Sequence, residues 1–142
     1  MQKKMVDGKL IDLTPEEIAA LTPTLEAAKE QKLAALAAKR FEVETGGTTL
    51  NGIPVATDRE SVAIITAAYV AAKEDPEYAI RWKAAQGVFV TLDAQTIIAT
   101  AHAARAHVQT CFDREADLTE AILAAETVEA LDAIDINAGW PA

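Results

Sequence analysis

The chain has 142 residues, enough for one domain with a real core and too few for two of ordinary size. Its 51% hydrophobic content with only 5% aromatic residues marks an alanine-rich, helical composition. A net charge of −9 repels nucleic-acid backbones and anionic membranes, so the expected partners are other proteins.

The amino-terminal stretch MQKKMVDGKLID has lysines but no apolar run behind them, which excludes a secretory signal, and no apolar segment is long enough to span a bilayer. Cys111 has no second cysteine for an internal disulfide. Synthesis and residence in the cytosol are therefore expected. Asp7-Gly8 between Met5-Val6 and Leu10-Ile11 predicts a tight hairpin, because that pair tolerates positive φ. Thr14-Pro15-Glu16-Glu17 follows as a helix start, with Thr14 as cap and Glu17 completing a capping box. Leu21-Thr22-Pro23 restarts the helix, which then runs from Pro23 to about Glu44 with Leu25, Leu33, Leu36 and Val43 on or near one face. Its remaining surface is charged enough for it to project from the domain.

Gly46-Gly47 stops this helix, and Asn51-Gly52 between β-formers predicts a second hairpin over Thr48–Val55, with Pro54 confining its strand to an edge. Thr57-Asp58-Arg59-Glu60 is read as a capping box with Thr57 as cap, opening a helix to about Glu74 that buries Val62, Ile65, Tyr69 and Ala72. From Glu77 to Leu92 the period alternates, predicting a third hairpin anchored by Trp82, which shares a face with Tyr78, Ile80 and Ala84. Asp93 then caps the longest element, a helix from Asp93 to Glu126 with no Pro or Gly. Its apolar stripe is Ile97, Ala101, Ala104, Val108, Cys111, Phe112, Leu118 and Ile122. After Thr127 come a short helical turn, acids from Asp132 to Asp135, and Gly139-Trp140-Pro141. The expected fold is helix-rich α+β, small antiparallel hairpins packed on long helices: an amino-terminal hairpin and helical segment (1–45) and an α+β domain (46–142).

His107, Cys111 and Glu115 stand one turn apart on one helix, a spacing that could direct all three at a metal ion. Cys111 and Glu115, however, lie on the apolar stripe, and no fourth ligand has a recognisable spacing, so no metal or cofactor is expected. Glu115 is instead an acid on the core-facing stripe that requires an arginine, Arg59 or Arg105. Ser61, the sole serine, sits in a first helical turn outside any nucleophile elbow, and Asp135-x-Asn137-x-Gly139 lacks the bidentate Glu of a calcium loop. No catalytic centre is recognised. The residues singled out for core or interface are Leu33, Leu36, Trp82, Val108, Cys111, Phe112, Glu115 and Trp140, the last to cover the domain's own core in preference to plugging a partner.

Leu50-Asn51-Gly52-Ile53-Pro54-Val55, Thr57-Asp58-Arg59-Glu60-Ser61, Arg81-Trp82-Lys83 with Gly87, and His107-Val108-Gln109 with Cys111-Phe112 and Glu115 form an ordered series over Thr48–Ile122. It resembles the DUF4376 family, a domain of unknown activity met in bacteriophage and prophage proteins of the tail-fibre region. The segment around Val6-Asp7-Gly8 and Leu13-Thr14-Pro15-Glu16-Glu17 is similar to leader segments of such tail proteins. The resemblance implies a virion-tail structural protein that docks or supports fibres at the tail tip or baseplate, or alternatively a fibre-assembly chaperone that leaves the particle. It carries over no catalytic residue. Tail or tail-fibre proteins are the expected partners. A homo-oligomer is expected too, as a trimer, since fibres are commonly three-fold and the apolar faces of the two longest helices exceed what three hairpins cover.

Overall fold

The computed structural model describes residues 3–17 and 24–142. In chain order the elements are β1 (Lys3–Val6), β2 (Lys9–Asp12), α1 (Leu25–Glu44), β3 (Thr48–Leu50), β4 (Ile53–Val55), α2 (Arg59–Glu74), β5 (Ala79–Ala85), β6 (Val88–Asp93), α3 (Ala94–Ala124) and α4 (Val128–Asp132). The fold is α+β, with three separate two-stranded antiparallel sheets, β1-β2, β3-β4 and β5-β6. Local chemistry sets most boundaries. Asp7 and Gly8 both take positive φ (48° and 77°), as do Asn51 and Gly52 (52° and 79°), the signature of the hairpin turn whose twist matches its strands. Helical backbone begins at Pro15, and the Thr14 hydroxyl and Glu17 carboxylate accept each other's backbone N–H at 3.2 Å. The restart at Leu21-Thr22-Pro23 and the helix start at Pro23 lie outside the described residues; α1 opens at Leu25 under a Thr24 cap.

One expectation shifts. The cap of α2 is Asp58, whose carboxylate accepts from Ser61 N–H at 3.1 Å. Thr57 is buried, and its hydroxyl accepts from the Gly47 N–H at 2.8 Å, so it locks the turn after α1 instead of opening α2. The side chains of Ala84 and Ala85 lie outside the described ones. In the third hairpin the register pairs Trp82 with Val90 and Ile80 with Leu92, and it slips at a bulge between Lys83 and Ala85.

The 31-residue α3 is the spine, and the two shorter helices lie along it one after the other. α2 runs antiparallel to its first half, with Tyr69 and His102 in tilted ring contact at 5.5 Å. α1 does not project: it runs antiparallel to the second half, where Lys29 Nζ donates to the Leu123 carbonyl at 2.7 Å and Lys32 Nζ to the Leu131 carbonyl at 2.6 Å. Two cores result. One joins Val55, Ile65, Ala68, Ala72, Ala94, Ile97, Ala101 and Ala104, with Trp82, Ile80, Leu92 and Leu50 packed at its edge. The other joins Leu36, Leu118, Ile122 and Leu131, with Leu25, Leu33, Ile134, Ile136 and Trp140 against it. Midway along α3 the expected stripe fails. His107 is buried while Val108 is only half-buried and Phe112 is 40% exposed, at the rim of a recess between the ends of the two shorter helices.

Candidate functional site

The end of α1, the start of α2 and the middle of α3 meet in a charged junction. Glu44 stands in the last turn of α1, where the helix dipole disfavours a carboxylate, and Arg59 in the first turn of α2, where it disfavours a cation. Pairing the two relieves both: Arg59 Nε donates to Glu44 at 3.2 Å. Glu44 is 3% exposed, so it also needs a second donor, which Arg40 supplies one turn earlier on α1. Arg40 extends the chain of charges by donating from Nε to Glu115 of α3 at 3.1 Å. Two guanidinium ions and two carboxylates thus balance across three helices. The bonds and fields of both acids hold the Arg40 pKa up, although desolvation, the largest influence, opposes it. Aromatic rings close the outside, Phe112 with the Arg40 guanidinium 4.5 Å from its centroid and Phe41 with Arg59 at 5.3 Å.

Glu115 is therefore held by an arginine as expected, but by Arg40. Arg59 is engaged by Glu44, and Arg105 lies exposed beside His102 and Tyr69. His107 sits beneath the junction. Its Nε2 lies 2.8 Å from the Val43 carbonyl and so carries the proton, the Cys111 sulfur is 3.8 Å from the same nitrogen, and the buried Nδ1 has no hydrogen-bond partner. Burial and the nearby Glu44 carboxylate push the Cys111 thiol pKa up, against a thiolate. With Glu115 turned to Arg40, the three do not converge on a metal. Among the described residues no three metal-ligating side chains cluster.

The other residues singled out fall into two places. Val108 and Phe112 line one shallow recess with Glu44, Arg59 and Val62 beside the junction. Leu33, Leu36 and Trp140 belong to the second core, with Trp140 Nε1 donating to the Ile136 carbonyl at 2.8 Å. Trp82 stands apart, half-buried between two grooves on the third hairpin. Arg40 and Glu44 escaped attention in the sequence. The signal was present as an acid at a helix C-terminus, which demands a cation.

The amino-terminal hairpin is strongly exposed. Its register puts Met5 and Leu10 on one face and Val6 and Ile11 on the other, and these side chains are 65%, 65%, 40% and 41% exposed. Among the described residues Lys3 pairs with Asp12 across the hairpin, and Lys4 pairs with Glu17 in the helical turn that follows it. No described helix is long and apolar enough to cross a membrane. A family model described as a domain of unknown function, DUF4376, matches residues 27–137, well over half of the chain and including most of α1. No curated protein and no solved structure matches.

Proposed function

Because the chain belongs to the DUF4376 family, we propose that it is a non-enzymatic bacteriophage tail-associated protein that docks or supports tail fibres at the tail tip or baseplate. The resemblance of its motifs to tail-fibre-region proteins supplies the setting. The observation that supports docking is the hairpin β1-β2. A lone two-stranded ribbon is marginal in water, and this one shows exposed apolar side chains on both faces, so burial against another protein surface would stabilise it. Self-association as a trimer belongs to the same reading. Leu33 and Leu36 of α1 pack within the chain, which leaves the exposed apolar residues of this hairpin as the contact we favour.

Mass spectrometry of purified virions tests the reading, with the protein expected at fibre-like stoichiometry. Its absence from particles would overturn the structural role, and fibre solubility that then depended on co-expression would identify an assembly chaperone. Light scattering tests the contact. A Met5→Lys/Leu10→Lys chain should fall to monomer mass while its helical circular dichroism is unchanged.

A further inference from the structure

Three consecutive residues of β5, Arg81, Trp82 and Lys83, line a groove of about 450 Å³ whose other wall is the start of α2, Glu60, Ser61 and Ile64. Phe89 of β6, the cross-strand partner of Lys83, lines it as well, so the groove runs over the hairpin face that carries Arg81, Lys83 and Phe89 and meets Trp82, which points to the other face, at the outer edge of β5. That edge is open, since β5 pairs only with β6. Arg81 and Lys83 are exposed and, among the described residues, neither forms an ion pair. Apolar surface flanks them, with Phe89 61% and Ile64 51% exposed.

We propose that this edge binds an extended acidic segment of a partner protein, added as a third strand with carboxylates at alternate positions over Arg81 and Lys83. The strand edge supplies backbone hydrogen bonds, the two cations select the guest's charge, and Ile64 and Trp82 receive the intervening apolar side chains. Glu60 on the opposite wall keeps the carboxylates on the β5 side. Two copies of this chain do not pair here edge to edge, because antiparallel pairing of β5 with itself brings the cations of both copies together. Nucleic acid is disfavoured by the acidity of the whole chain. This inference is independent of tail association.

Fluorescence anisotropy with the full chain and a labelled octapeptide of alternating valine and glutamate tests it. Saturable, salt-sensitive binding is expected, weaker by about tenfold for the valine–lysine peptide and lost when alternate amides are N-methylated. Arg81→Glu/Lys83→Glu should reverse the charge preference, and Arg81→Gln/Lys83→Gln, a milder change, should erase it. Failure of the glutamate peptide to bind, equal binding of both peptides, indifference to N-methylation, or preferential binding of a thymidine oligonucleotide would each overturn the proposal.

Discussion

The two halves of the spine are packed by opposite means. Along the first half of α3 the buried residues are mostly small, Ala68, Ala72, Ala94, Ala101 and Ala104 around Ile65 and Ile97, so α2 can approach closely and the hairpins close the edge. Along the second half Leu36, Leu118, Ile122 and Leu131 fill the space to α1 and α4. A close seam tolerates no added volume, and a wide one tolerates no loss. The charged junction sits where one regime gives way to the other, so that three helix segments meet there without an apolar plug.

Substitution of opposite sign should break the two halves. Ile122→Ala, at a fully buried site, should cost about 3–4 kcal/mol in chemical denaturation. Glu44→Ala should cost about 3 kcal/mol, at the low end for a broken buried pair, because Arg40 keeps Glu115 and the Arg59 side chain is already 65% exposed. A loss under 1 kcal/mol would show that the junction does not couple the halves. Ala104→Leu should cost about 2 kcal/mol by overpacking. The smallest effect concerns the cap of the spine. Hydrogen bonds from Thr96 hold the Asp93 carboxyl below its usual range, so its stabilisation is present above the unfolded Asp pKa of about 4 and is lost as pH falls through the lower folded value. Asp93→Asn keeps an acceptor at the cap but removes the titration. Any difference in Tm between the two proteins at neutral pH should therefore shrink towards pH 3.

Features decided within a few residues could be read from the sequence: the Asp7-Gly8 and Asn51-Gly52 turns, the Asp93 cap, and the short helix after Thr127. Where two adjacent residues could both cap, as Thr57 and Asp58 can, choosing between them required knowing that Gly47 lies beside Thr57. The need of Glu115 for an arginine was legible, but its identity was not. Arg40 lies 75 residues away, and only the docking of α1 brings it near. Phe112 misled for a related reason: helical periodicity defines a face, and the junction leaves part of that face uncovered.

The order of the helices along the spine has a kinetic consequence. α2, the third hairpin and the first half of α3 are neighbours in sequence, so their core closes short loops. α1 must find partners 75, 94 and 99 residues ahead, at Glu115, Leu123 and Leu131. Loop closure makes late contacts of the second kind. Folding should therefore nucleate in the alanine-rich half, with α1 docking after the main barrier. In stopped-flow chevrons, Ile65→Val should slow refolding, whereas Leu36→Ala should leave refolding nearly unchanged and speed unfolding. Equal φ-values at the two positions would contradict this order.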